Sequence, residues 1–541
     1  MDNKNLIKQK SSHKPLAIWY LVFGIEYSIL NIGNFLVFVL SVYSISVSAQ
    51  RYPNTGYKVN VVPDSEVIVY FDRPLRDWDG FGVNYVEACQ TRDYSKFAQD
   101  YSGFSFASEE TREKILEMIF GEDGWKPSLT KLFLDPFHEG LTKAGNDNDD
   151  PLKMNMAGFD HESTTEWMRY FNREGQKRVQ KWGGKLTGMV TLYGPAPWQT
   201  TQKYVLGRDI DPNEKYEVAE YMVSWAKYLR EEENLDIRYI SFHNEGDAYY
   251  RWPRDGSNPG EDHRDYNSYW TPDQVVDFLK ITQKVLEAND LKEVGLTPGE
   301  TQTWFRFDTW GYATAIVNDK NALENLSLIT SHSFAVWDIP NSVYYGDYRS
   351  VGQDLIQEQR PDVKSWVTSR PWTIDYQFIE NIRRDIYECK VNGLIPWAPI
   401  SGAGQWMESN GEYRDGSMRC AFNIREDGSL EILKGYYFYK QVSRAGQPGM
   451  HVAQVINLDP ALGVIAFSSA KTKNPDAFII INKSEKEKDI KITVSGSKSK
   501  SFEVYRTSPE EDYQQFNDIK TNDNKLIYTC PAGSVTTFFG K

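Results

Sequence analysis

Residues 238–247, RYISFHNEGD, run through an apolar stretch and stop at Asn244 and Glu245. An amide beside a carboxylate at a strand end can hold a polar ligand and move a proton at it. Other short apolar runs end in the same fashion. LTPGE delivers Glu300, with Thr301 and Trp304 behind it, and TSHSF presents His332. SWVTSRPW carries Thr368, Ser369, Arg370 and Trp372, while LYGPAPW and GLIPW reach Trp198 and Trp397. Two earlier runs end at Asn84 and Glu87, and at Asp135, His138 and Glu139. Carboxylates, imidazoles and indoles on one rim suit the cleavage of an acetal. One carboxyl gives a proton to the leaving oxygen, and a second attacks the anomeric carbon or activates water. Indole rings add flat faces on which sugars stack.

These tips need a scaffold that brings them together. Eight apolar runs read as strands: 80–87, 130–137, 186–194, 237–245, 293–300, 326–334, 365–369 and 393–400. Between them lie amphipathic helices over 108–120, 212–232, 271–290 and 375–393. In the second of these, Val218, Tyr221, Met222, Trp225 and Leu229 recur at helical spacing. Eight strand–helix units predict a (β/α)8 barrel, whose strands are buried on both faces and whose active groups collect at the C-terminal strand ends. After about residue 440 the texture becomes short strands between Gly, Asn, Asp and Ser turns, which predicts an all-β sandwich. The expected organisation is a signal peptide over 1–49, a strand segment over 50–76 that joins the sandwich, the barrel over 77–437 and the sandwich over 438–541.

Composition narrows the partners. A net charge of −14 leaves no basic face for phosphate backbones, so nucleic acid is not expected. Four lysines precede an apolar region from Ile18 to Ser48, which closes in Val47-Ser48-Ala49. That pattern predicts export with cleavage near Ala49 and no membrane span in the mature chain. The four cysteines, Cys89, Cys389, Cys420 and Cys530, are far apart and form no CxxC pair. No metal or other cofactor is expected: the histidines lack helical i, i+4 spacing. The acidic run GNDNDD at 145–150 lacks the spaced ligands of a calcium loop and reads as solvated. A monomer with carbohydrate as its partner is the expectation.

In order along the chain, the motifs resemble the clan A barrel glycoside hydrolases, and family 30 most closely. DGFGVNYVEA stands at the first strand, LYGPAPW at the end of the third, FHNEG at the fourth and TSHSF at the sixth. GYYFYKQVSRAGQPGMHV resembles the family's run out of the barrel, and PAGSVTTFFG closes a similar sandwich. The resemblance implies hydrolysis of O-glycosidic bonds, with Glu245 as general acid/base and Asn244 on a sugar hydroxyl. Trp198, His332, Trp372 and Trp397 are then the expected sugar-contacting shell. It also exposes a departure: the family's strand-seven Trp-x-Thr/Ser-Glu pattern ends here in Ser369, where the nucleophile is expected. A lone hydroxyl is a poor nucleophile toward an acetal. Three readings stay open. Another rim carboxylate does the work, with Glu300 favoured over Glu408 and Glu87; the substrate supplies its own nucleophile; or the chain binds glycan without cutting it. Arg370, beside the vacant position, suggests a site for an acidic sugar.

Overall fold

The computed structural model describes residues 65–85, 104–105, 107–139, 150–257, 266–334, 349–402, 420–425 and 427–541. The apolar N-terminal region, Glu87, Cys89, Glu408 and the acidic run before Asp150 lie outside them.

The barrel strands are β2 (Gly80–Asn84), β3 (Leu129–Leu134), β4 (Thr187–Leu192), β5 (Asp236–Ser241), β6 (Gly295–Thr297), β7 (Glu300–Thr301), β8 (Leu328–Ser331), β9 (Lys364–Arg370) and β10 (Gly393–Pro396). All neighbouring pairs are parallel, and β10 returns to β2. Pro298-Gly299 splits the fifth position into β6 and β7, so nine segments make eight barrel positions. Parallel bridges Leu296 to Leu326 and Asn244 to Glu300 close the ring.

The strands form because nearly every position is buried on both faces, as in LTKLFL of β3 and LITS of β8. Their helices start on side-chain caps: Ser108 accepts from the Thr111 amide, Thr271 from Gln274 and Asp375 from Gln377. The helix at 212–232 opens with a short 3-10 turn at Pro212–Glu214 before its α-helical part, Lys215–Glu231. The helix begun at Asp375 stops at Tyr387, six residues before the expected end at Gly393.

Inside the barrel the alternation of side chains stacks layers. Leu129, Met189, Leu328, Trp366 and Ile395 form a dry lower layer, with Tyr239 packed against it. The next inward positions, two residues along β3, β4 and β9, are Lys131, Thr191 and Thr368. Polarity therefore begins one layer below the rim.

A second sheet of nine strands carries its own core. Its order places β1 (Ser65–Asp77) between the strands His451–Asn457 and Lys488–Ser495, antiparallel to the first and parallel to the second. The sheet folds over itself: Val67, Ile492 and Tyr528 meet Phe478, Val504 and Phe538 in one apolar cluster. The N-terminal strand thus belongs to the sandwich, as expected. Among the described residues no helix is long and apolar enough to cross a membrane, and Cys389, Cys420 and Cys530 are buried.

Candidate active site

Backbone geometry at the mouth decides which side chains turn inward. β5 ends at Ser241, and the chain continues to Glu245, which adopts a left-handed φ of +51°. Ser333, directly after His332, is left-handed too, at +59°. Non-glycine residues rarely take this conformation, and where they do the surroundings must hold them there. Here the ladder does so: the Glu245 amide donates to the Glu300 carbonyl (2.8 Å), the Glu300 amide to that of His243 (2.8 Å), and the His332 amide to that of Thr301 (2.9 Å). Gly299 has a φ of +96°, and a Cβ there would strike the His243 ring at 2.2 Å, so this position requires glycine.

The result is a chain of charged groups through the mouth. His332 is fully buried and stands between two carboxylates. Its Nδ1 lies 3.0 Å from Glu245 Oε1 and its Nε2 3.0 Å from Glu300 Oε2. Glu300 also accepts from Lys131 Nζ, from Thr191 Oγ1 and from Thr368 Oγ1 (2.8 Å). Glu245 accepts from Arg251 and from Gln302 Nε2 (2.8 Å). Behind it Asp247 pairs with Arg306 (3.1 Å) and takes the Gln302 amide (3.0 Å). Asn244 is bracketed by Lys131 Nζ, 3.3 Å from Oδ1, and by the Asn267 amide, 3.1 Å from Nδ2.

Burial alone would push both carboxyls up. For Glu245 the Arg251 charge, His332 and Gln302 outweigh it and hold the group well below the usual carboxylate range. For Glu300 the Lys131 charge and His332 do the same. Burial would lower His332, but the hydrogen bonds from the two carboxylates raise it on balance, so the imidazolium is favoured with both nitrogens donating. His243, whose Nδ1 accepts the Gly246 amide at 2.9 Å, has no such partners, and burial pushes it down to about 3.

A pH experiment follows. A histidine whose folded pKa is raised contributes stability that is complete below its unfolded pKa, about 6.5, and is lost as pH rises through the folded value. Urea denaturation of the wild type between pH 6.5 and 8.5 is expected to show stability falling with pH, and His332→Gln to remove that part of the slope. His243 acts in the other window, below about 6.5, so the two do not mix. Equal slopes in wild type and variant would mean that His332 is neutral.

Several expected site residues turn out to be placed otherwise. Glu300 is fully enclosed, its oxygens are taken by four partners, and an imidazole separates it from Glu245. Inside the barrel it is paired with the Lys131 ammonium. Arg370 does not face outward for an acidic sugar. Its guanidinium forms a two-point pair with Asp385 (2.7 and 2.6 Å) and donates to Ser333 Oγ (2.7 Å). Trp372 is core: it packs against Trp125, Phe378 and Tyr439, and its Nε1 donates to the Trp397 carbonyl (2.7 Å). Trp397 is half-buried against the same core, and Trp198, on the turn Pro197–Gln199, is nearly enclosed. Ser369 is buried and accepts from Asn84 Nδ2 at 3.3 Å. Glu245 and His332 are in contact at 3.0 Å, with Asn244 adjacent in the chain.

Lys131, Arg251, Gln302 and Arg306 were not anticipated. Lys131 had left a signal, because a cation in a strand buried on both faces demands a buried anion. Arg251 lies in a loop whose richness in Tyr, Trp and Arg marks it as a wall of the site, while Gln302 and Arg306 sit on a loop and a short helix with no pattern to reveal them.

No protein-family model matches the chain, and neither does any curated protein. Solved structures do. A GH30 endoxylanase from Clostridium papyrosolvens superposes with a TM-score of 0.58 at 16% identity, over 88% of this chain and 100% of its own. A conserved exported protein from Bacteroides fragilis gives 0.64 at 13%, over 87% and 99%. An endo-β1,6-glucanase gives 0.62 at 16%, over 88% and 94%. The fold is that of the family 30 glycoside hydrolases. Barrel and sandwich are both included in that likeness, since almost the full length of each neighbour is covered.

Proposed function

We propose that this chain is a glycoside hydrolase that works at the C-terminal mouth of its barrel, with Glu245 as the acid/base. The observation that carries this reading is the presentation of Glu245. It projects from a left-handed turn beyond the fourth strand, and Arg251, Gln302 and His332 fix both of its oxygens. At rest Glu245 is ionised, so the proton it passes on must first reach it. His332 Nδ1, 3.0 Å away, is the donor in place. Its N–H bond breaks as Glu245 is protonated, and Glu245 then protonates the leaving oxygen as the glycosidic bond opens; water bonds to the anomeric carbon, and the proton it sheds returns through Glu245 to His332. Between turnovers Glu300 and Glu245 favour the charged imidazole, against the nearby Lys131 ammonium. Glu87 and Glu408, the remaining rim candidates for the second carboxylate, lie outside the described residues.

Neighbours of the same fold are named for xylan and for β-1,6-glucan, so the scaffold does not choose the linkage. A second reading, a glycan binder that does not cut, draws on Ser369 and its bond to Asn84 at the strand-seven position. A screen decides between them. The purified chain is incubated with xylans, β-glucans of several linkages and uronic glycans, and new reducing ends are followed. Cleavage of one class is expected. Binding without cleavage across the panel would establish the second reading. Export belongs to the proposal too, supported by the lysine-rich start and the small-residue site before Gln50; N-terminal sequencing of the mature protein checks it.

A further inference from the structure

Large hydrophobic side chains that stay exposed are few among the described residues: Leu75, Tyr249, Tyr250, Val351, Leu458 and Ile527. Two of the six are consecutive, and both stand on the loop that carries Glu245. Tyr249 is 55% exposed and Tyr250 57%. Neither ring is loose. Tyr249 contacts Trp310 with centroids 5.7 Å apart and Tyr250 at 6.0 Å. The buried Arg306 guanidinium lies 4.5 Å from the Trp310 ring centre and 5.6 Å from that of Tyr250. Asp247 holds Arg306 from behind. Tyr250 Oη is 2.9 Å from Gln302 Nε2, the group that donates to Glu245. An outward aromatic surface is thus braced from below and joined to the candidate acid through one amide.

We propose that Tyr249, Tyr250 and Trp310 form a stacking subsite for a sugar ring of the glycan chain as it leaves the Glu245 centre. This rests on the reading of Glu245 as the reacting carboxylate and adds where the chain runs. Three arguments support a sugar as occupant. Exposed rings fixed in advance lose little entropy on binding, which favours a flat, partly apolar ligand. The polar edges at hand, the Tyr250 hydroxyl and the Gln302 amide, match the ring hydroxyls that border a sugar's apolar face. The surface also lies one side chain from the charged rim, because Gln302 bonds both Tyr250 Oη and Glu245.

The test uses the full chain and the oligosaccharide series of whichever glycan it cuts or binds in the screen, from two to six units. Tyr249→Ala and Trp310→Ala are expected to weaken affinity about three- to ten-fold, with a loss that grows with chain length. Tyr249→Phe keeps the ring and is expected to restore affinity, whereas Tyr249→Leu, apolar but not aromatic, is not. Thermal melts of each variant identify any that fails to fold, and the Phe and Leu pair then carries the comparison. Unchanged affinity in the folded variants, with Glu245→Gln inactive, would overturn the subsite and leave the hydrolase reading standing. Failure of the wild type to bind or cut any glycan would overturn both.

Discussion

Lys131→Met is expected to cost the fold about 3–5 kcal/mol. The lysine and Glu300 are both fully buried inside the barrel, one layer above a dry floor of Leu129, Met189, Leu328, Trp366 and Ile395. Methionine fills most of the same volume, so packing changes little. What changes is charge: Glu300 loses its ammonium and keeps only His332 and two hydroxyls, in a place water does not reach. Burial already pulls the Lys131 ammonium below its ordinary range against the attraction of Glu300, so its own desolvation is a real cost. For that reason the double variant Lys131→Met/Glu300→Gln is expected to lose less than the sum of the two single changes. Urea denaturation of the four proteins reads the coupling directly. A single-variant loss below about 1 kcal/mol, in the range of an exposed pair, would show that water screens the pair after all.

Glu245→Gln is expected to lower kcat by a factor of about 10² to 10⁴, the range typical of a positioned acid or base, while glycan affinity changes far less. Glutamine preserves the shape that meets Gln302 and His332 but can neither accept nor return a proton. Affinity and rate must be measured separately, because the change leaves Arg251 without its anion and costs some stability. Thermal melts control for that. Activity that survives the change would remove Glu245 from the reaction. It would leave the barrel mouth as a binding surface whose charges serve structure alone.

The barrel was legible in the sequence for a simple reason. Strands buried on both faces must be short and carry little charge, and LTKLFL, TGMVTL and LITS do so, Lys131 being the one charge among them. The tips at Asn244, Glu245 and His332 were legible because a polar residue directly after such a run has to face the rim. Partners were harder. The carboxylate that reaches Arg370 is Asp385, fifteen residues on and near the end of the helix Tyr376–Tyr387, a distance no local pattern marks. Trp372 follows a rim strand and looked like a sugar platform. The helix Lys434–Ser443, brought back from far along the chain, covers it with Tyr439. Glu300 stood at a strand tip as expected, but only the three-dimensional barrel shows that Lys131 on another strand draws it inward.

The strand β1 carries a consequence for how the molecule is made. Val67 pairs with Ile492 on one side and with Asn457 on the other, so the first described strand is stitched between two strands of the C-terminal sandwich. While the chain is being synthesised, this strand has no partner until nearly all of the polypeptide has emerged. The sandwich core, which needs Val67 and Val69 beside Ile490 and Phe538, can close only then. Contacts this far apart in sequence are slow to form and leave an unpaired strand edge in the meantime. A truncation that removes the C-terminal strands therefore unmoors the front of the chain as well, and the barrel begins its life with one apolar ribbon still waiting for its neighbours.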